Sequence, residues 1–272
     1  MNKKILILVL LLLSSTLQSI NILNTSVPKC GTFLLMQVLQ LIFNQNCTAT
    51  FLPVYYPSVD LLDQYINDKY FACMHLGYKP EYEQYLKEKN AKAFFIYRDP
   101  RDQLVSQVHY MLMHSTDYGR FTFDSLLTAL IGNNDASPQE LNHFQDTKLT
   151  ILSSQEYLSH IKRFYEIFIG WRNSEVCYST RFEDLVGIKG GGSAELQKRE
   201  IANIAKHAGI HLNEQQIIDI ASKAFGGTWS FREGKIGSWR THFKPHHVSA
   251  FKAAAGNLLI EWGYEPDNNW HL

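Results

Sequence analysis

Three short stretches of this chain carry side chains able to hold an anion, and a histidine stands between the first two. The first, Val27-Pro28-Lys29-Cys30-Gly31-Thr32-Phe33-Leu34, breaks an apolar run into a short basic loop that resumes at helical spacing. At such a junction backbone N–H groups and the positive end of the helix dipole face one point, and Lys29 adds a full charge beside them. The second is Arg98-Asp99-Pro100-Arg101-Asp102-Gln103-Leu104-Val105-Ser106. Asp99 suits an N-cap and Pro100 a first helical position. Ser106 then lies about two turns in, on roughly the face of Asp99, where its hydroxyl can share an anionic ligand with Arg98. The third is Phe231-Arg232-Glu233-Gly234-Lys235-Ile236-Gly237-Ser238-Trp239-Arg240. His75, in Met74-His75-Leu76, is a candidate acid or base.

These residues need a scaffold, and the apolar pattern supplies one. A strand over 20–27 feeds the first loop, and Leu34, Leu35, Val38, Leu39 and Ile42 predict a helix over 33–44. The Pro-containing stretch 48–57 reads as irregular, 59–67 as a short helix, and 70–74 as a strand ending at His75 before Gly77 and Pro80. An exposed helix over 81–90 leads to the buried strand 93–97, uncharged until Arg98. The pattern weakens over 115–150, and its polar part from 131 reads as a lid or binding loop. Helical spacing returns over 153–171, then a strand over 176–181 ends at Phe182-Glu183-Asp184-Leu185. Helices over 194–208, 213–225 and 247–260 complete the chain.

Strands alternating with helices predict an α/β domain with a mainly parallel central sheet flanked by helices. Ligands of such sheets bind beyond the carboxyl ends of the strands. Lys29, His75, Arg98 and Phe182 each follow a predicted strand, so parallel neighbours would bring them to one edge.

Composition narrows the possibilities. The 272 residues fit one domain over 20–272 behind a leader. Lys and Arg number 26 and so do Asp and Glu, without the basic surplus of a general nucleic-acid binder. Cys30, Cys47, Cys73 and Cys177 match no zinc pattern, so no metal is expected, and free thiols are favoured in a chain of this length. Residues 1–19 carry Lys3 and Lys4, then an unbroken apolar run, then Ser14, Ser15 and Thr16, the layout of a secretory signal peptide. Leu17 stands where cleavage wants a small residue, and an uncleaved anchor is the rival, but 20–27 is needed in the sheet. The leader predicts a secretory, periplasmic or membrane-associated location, with a cytoplasmic protein carrying an apolar leader as the alternative. Sequons at Asn24 and Asn46 decide nothing, and Asn24 falls inside a strand.

Taken together, the motifs carry a family resemblance. Pro28-Lys29-Cys30-Gly31-Thr32 resembles the 5′-phosphosulfate loop of sulfotransferases that use 3′-phosphoadenosine 5′-phosphosulfate. Residues 97–106 resemble their 3′-phosphate motif, with arginine and serine at the family's spacing, and 231–240 resemble the late Arg-Lys-Gly-rich segment that closes over the nucleotide. Any one of these is a weak signal. Three in the family's order, with His75 between the first two, are strong.

The resemblance implies a P-loop nucleoside-triphosphatase-like architecture. It implies that Lys29, Cys30, Gly31 and Thr32, with the amides of Phe33 and Leu34, hold the 5′-phosphosulfate, and that Arg98, Ser106, Arg232, Glu233 and Gly234 surround the 3′-phosphate. Phe182 and Thr228 or Trp229 would touch the adenine. His75 would be the general base on a phenol, alcohol or sugar hydroxyl, and Lys29 and Ser106 would act beside it in catalysis, Ser106 restraining Lys29 until the acceptor binds. Neither metal nor nucleic acid is implied. Departures from the family pattern are Cys30 for serine, Phe33 and Leu34 for threonine and tryptophan, Cys73 for lysine and Glu233 for lysine; the last should weaken nucleotide binding unless Glu233 turns outward or Lys235 compensates. Two other classes remain open: a P-loop-type small-molecule kinase, disfavoured because Gly190-Gly191-Gly192 lacks a following Lys-Ser/Thr, and a nucleotide-binding relative without catalysis.

Overall fold

Among the described residues five parallel strands form the centre: β1 (Ile22–Ser26), β2 (Phe51–Leu52), β3 (Phe71–Met74), β4 (Lys92–Tyr97) and β5 (Cys177–Arg181), in the order β2-β3-β1-β4-β5. The computed structural model describes residues 21–44, 51–52, 56–67, 71–114, 121–132, 161–227 and 231–272. β4 is apolar on both faces, as a central strand of a parallel sheet covered by helices requires. In β4, Ala93, Phe95 and Tyr97 enter one core, while Phe94 and Ile96 enter the other.

Helices fill both sides. Between the strands run α1 (Thr32–Phe43), α2 (Val59–Asn67), α3 (Pro80–Glu88), α4 (Pro100–His114), α5 (Phe123–Ile131), α6 (Ile161–Glu166) and α7 (Ile169–Asn173). After β5 come α8 (Phe182–Leu185), α9 (Ala194–His207), α10 (Glu214–Lys223), α11 (Trp239–His242), α12 (Pro245–Ala255) and α13 (Leu258–Glu261). The α1 stripe Leu35, Val38, Leu39 and Ile42 packs with Ile201 and Ile204 of α9 and Ile220 of α10 on the Phe94 side. On the Phe95 side lie Leu104, Val105 and Val108 of α4, Leu126 and Leu127 of α5, and Phe251 of α12.

Several elements differ from the sequence expectation, each for a local reason. The stretch expected to be irregular at 48–57 contains β2, which pairs with β3 at Phe51↔Cys73 and Leu52↔Met74. The helix expected to be exposed at 81–90 buries Tyr82, Tyr85 and Leu86. Its tyrosines bury their rings and use their hydroxyls, Tyr82 Oη to Pro57 O at 2.6 Å and Tyr85 Oη to Asp63 Oδ1 at 2.8 Å. The single helix expected at 153–171 is broken within its described part, where the Ile167 carbonyl accepts from Tyr78 N at 2.8 Å between α6 and α7. α5, where the apolar pattern is weak, starts at a reciprocal cap between Thr122 and Ser125. The last predicted helix, 247–260, is two helices with Gly256 between them.

Cys30, Cys73 and Cys177 are free thiols, whereas Cys47, the leader 1–19, the expected lid or binding loop from 133 to 150 and the first part of the helix expected at 153–171, up to 160, lie outside the described residues. Among the described residues no helix is long and apolar enough to cross a membrane.

Candidate active site

At its carboxyl end β1 turns polar. Asn24, Thr25 and Ser26 have no exposed surface, so their hydrogen bonds have to be made inside the protein. Asn24 Nδ2 donates to Thr32 O at 3.2 Å. Thr25 Oγ1 accepts from Leu76 N at 2.9 Å. Ser26 Oγ lies 2.6 Å from Thr32 Oγ1 and 3.1 Å from His75 Nδ1, and the Ser26 carbonyl oxygen is also 3.1 Å from that nitrogen. The strand end thus ties the loop after β1 to the residues after β3. Sequence reasoning passed over Thr25 and Ser26 and weighed Asn24 only as a sequon. Three successive polar residues in a doubly covered strand were the available signal.

A carbonyl oxygen only accepts, so neutral His75 carries its hydrogen on Nδ1 and its lone pair on Nε2. Burial pushes its pKa down to about 4; the Ser26 backbone opposes that shift and the Lys29 charge adds to it. The ring is therefore neutral near pH 7.

The loop from β1 to α1 has a cradle's backbone. Cys30 N donates to Val27 O at 3.1 Å, while Lys29 and Gly31 take positive φ of 67° and 101°. A Cβ on Gly31 would stand 2.7 Å from Phe182 Cδ2, so both backbone and space demand glycine. The first bond within α1 runs from Leu35 N to Gly31 O at 3.0 Å. The N–H groups of Thr32, Phe33 and Leu34 precede it, at the positive end of a helix with no acidic residue in its first turn. Lys29 Nζ lies 3.9 Å above the ring of Tyr110, about one turn beyond Ser106 on α4. Tyr110 carried no sequence signal.

Two residues of the expected ligand set have buried side chains. Cys30 is fully buried, with Sγ 3.7 Å from Tyr165 Oη, and burial pushes its thiol up to about 12. Phe182 is 5% exposed and packs beneath Gly31 and the Arg98 guanidinium, whose carbon is 4.3 Å from the ring centroid.

Arg98 follows β4 and faces the late segment. It donates through Nη2 to the Lys235 carbonyl and lies 3.5 Å from Asp102 Oδ2. Its Nε is buried with no hydrogen-bond partner among the described residues. Asp102, 1% exposed, accepts from Gly237 N at 2.7 Å, Ser238 Oγ at 3.0 Å and Trp239 N at 2.9 Å. One carboxylate thereby fastens the late segment to α4. Gly234 has φ 61°, and a Cβ there would meet Phe231 at 2.7 Å. Arg232 pairs with Glu233 at 2.6 Å. Thr228 and Trp229 lie outside the described residues.

Electrostatics bring the segments to one place. Burial first, and the charge of Arg232 after it, lower the Lys29 pKa to about 8. Arg232 is itself lowered by burial and, among its charged neighbours, by Arg98. Arg232 therefore repels both Lys29 and Arg98, cations distant from it in sequence, an arrangement that an anion stabilises.

Elsewhere, Asp124, His246 and His247 place ligand-type atoms within 4.8 Å of one another. Lys244 Nζ already sits 2.7 Å from Asp124 Oδ1. His247 Nδ1 accepts Lys244 N–H at 3.0 Å, which puts its hydrogen on Nε2, facing Asp124. These contacts make an ion-paired staple between α5 and the start of α12.

Comparison with known proteins gives one family match and several structural ones. A family model described as "Sulfotransferase domain" matches residues 20–263. Among solved structures, mouse sulfotransferase SULT7A1 complexed with PAP superposes with a TM-score of 0.59 at 17% identity, covering 91% of this chain and 88% of that one. Retinol dehydratase with androsterone and inactive cofactor PAP gives 0.55 at 15% identity, covering 89% and 81%. The same enzyme with retinol and PAP gives 0.52 at 16% identity, covering 88% and 80%. A search of curated proteins finds no match.

Proposed function

We propose that this chain, which belongs to the sulfotransferase domain family, moves a sulfuryl group from 3′-phosphoadenosine 5′-phosphosulfate to an acceptor hydroxyl. The observation that carries the reading is the convergence of Lys29, Arg98 and Arg232 around the loop that begins α1, with His75 tied to the same strand end. These residues fit a nucleotide with charge at two ends. Lys29 and the first-turn amides suit the phosphosulfate, and Arg98, whose Nε lacks a partner among the described residues, suits the 3′-phosphate together with Arg232 and Ser106. The donor supplies the sulfuryl group when bound.

The chain's own work follows from its geometry. His75 takes the acceptor proton at Nε2, while Nδ1–H stays on the Ser26 carbonyl, 3.1 Å away. Lys29 and the loop amides stabilise charge growing on the leaving phosphate oxygen, which a loose in-line transfer demands. The retinol and androsterone in the retinol dehydratase structures both bear hydroxyls, and an alcohol, phenol or sugar hydroxyl is the acceptor class proposed here. We also propose that residues 1–19 direct the chain to a secretory, periplasmic or membrane-bound location, to be checked by fractionation and by sequencing the mature N-terminus.

A radiolabelled transfer assay with the sulfate donor, set against ATP, tests the reaction. Sulfuryl transfer supports the reading, phosphoryl transfer makes the chain a kinase, and binding of adenosine 3′,5′-bisphosphate with no transfer to a broad acceptor panel makes it an inactive relative. His75→Ala is expected to abolish turnover and keep the bisphosphate bound. Arg98→Ala is expected to weaken bisphosphate binding.

A further inference from the structure

Two hydroxyls and an imidazole at the end of β1 are satisfied together by one hydrogen-bond chain that runs from His75 to Thr32. The Ser26 carbonyl, 3.1 Å from His75 Nδ1, puts the ring hydrogen on that nitrogen. Ser26 Oγ, also 3.1 Å from Nδ1, therefore accepts from the ring. With its own hydrogen given to Thr32 Oγ1 at 2.6 Å, every polar atom of that hydrogen-bond chain has a partner. Thr32 Oγ1 accepts that hydrogen, so its own hydrogen points away from Ser26. Ser26 has no exposed surface and Thr32 only 5%, so water does not compete for the first two links.

We propose that Ser26 is a positioning residue that couples the loop holding the donor to the base: its hydroxyl joins His75 Nδ1–H to Thr32, and thereby turns the Thr32 hydrogen outward to an anionic oxygen of the donor. The proposal rests on the sulfotransfer reading and adds to it a residue outside every motif of the chain. Hydrogen bonds in a chain polarise one another, most of all where the local dielectric is low. An anion accepting from Thr32 strengthens the Ser26 link and, through it, the pull on Nδ1–H. The base is thus oriented best when the donor is in place. When Nε2 takes the acceptor proton, the imidazolium keeps Nδ1–H on the Ser26 carbonyl and hydroxyl, and no proton leaves along the chain.

The test has one part that needs no variant. In ¹⁵N NMR of the wild-type protein with and without adenosine 3′,5′-bisphosphate at neutral pH, His75 is expected as the Nδ1–H tautomer in both states; an Nε2–H tautomer overturns the proposal. The second part is a double-mutant cycle with Ser26→Ala and Thr32→Val, read on bisphosphate affinity and on kcat and KM separately. Coupling predicts that the double variant loses no more than about threefold beyond the worse single variant, with Ser26→Ala lowering kcat about 10- to 100-fold and moving the KM for acceptor little. Additive losses overturn it. The spectrum and the affinity cycle are independent of turnover, so a protein that fails to transfer sulfate refutes the functional reading without deciding this one.

Discussion

Arg232 Nη1 and Glu233 Oε1 stand 2.6 Å apart, an ion pair between chain neighbours inside a cradle that also holds Lys29 and Arg98. Glu233 offers Arg232 the kind of charge that a 3′-phosphate would bring. The Glu233 side chain is 49% exposed, so the pair is worth roughly 0.5–1 kcal/mol. Glu233→Gln is therefore expected to tighten adenosine 3′,5′-bisphosphate binding about 2- to 5-fold, and Glu233→Lys about tenfold, in calorimetry at low salt. The gain should shrink as salt screens the added or removed charge. Weaker binding by both variants would show that Glu233 helps to hold the nucleotide.

Donor turnover should have two pH limbs with opposite signs. His75 acts as base only when neutral, so activity rises with pH through its pKa of about 4. Lys29 stabilises the leaving phosphate only when charged, so activity falls as pH rises through about 8. A profile of kcat/KM for the donor, which reports the free enzyme, should be broad with its alkaline limb near 8. Lys29→Arg should move that limb beyond the measurable range, since arginine stays charged. An alkaline limb unmoved in that variant assigns it to another group.

Asp102 is the hinge pin of the late segment. Removing it leaves Gly237 N and Trp239 N without their acceptor and Arg98 without its nearest carboxylate. Asp102→Ala should destabilise the fold by roughly 3 kcal/mol and weaken bisphosphate binding at least about tenfold. Limited proteolysis should then cut within 231–240. Wild-type affinity in a folded Asp102→Ala protein would mean that the segment holds its place without this clamp.

The parts of the site that were legible share one property: each directly follows an apolar run. Lys29 after β1, His75 after β3, Arg98 after β4 and Phe182 after β5 reach one edge because the strands are parallel neighbours. The illegible parts depend on what side chains do once buried. Asp102 looks like a solvated charge in a helical first turn, yet it is 1% exposed and holds residues more than 130 positions away. Phe182 was placed at the sheet edge, but its packing under Gly31 and Arg98 was not legible, because periodicity says that a ring is buried and not what it packs against. Ser26 and Thr25 were missed because strand patterning treats a polar residue as a solvent-facing one. In a sheet covered on both faces such residues have to bond internally.

Glu183 gives the fold a pH dependence that the chemistry does not need. Its carboxylate accepts from Asp99 N at 3.0 Å and from Tyr264 Oη at 3.1 Å, but burial raises its pKa from 4.5 to about 7 against the Asp99 N–H bond and the nearby Arg98 charge. Because the folded value lies above the unfolded one, the folded chain binds more protons between these two values. Stability therefore falls as pH rises through that window and stays low above it. Glu183→Gln keeps an acceptor for Asp99 N and a partner for Tyr264 without the charge. It should stabilise the protein at pH 8 by on the order of 2 kcal/mol once partial exposure is allowed for, which is about 4 to 8 °C in Tm for a domain of this size. At pH 4 wild type and variant should melt together, since the native carboxyl is then protonated. A variant less stable than wild type at pH 8 would show that the Glu183 charge is needed by Arg98, and that the three-cation cradle depends on this carboxylate from beneath.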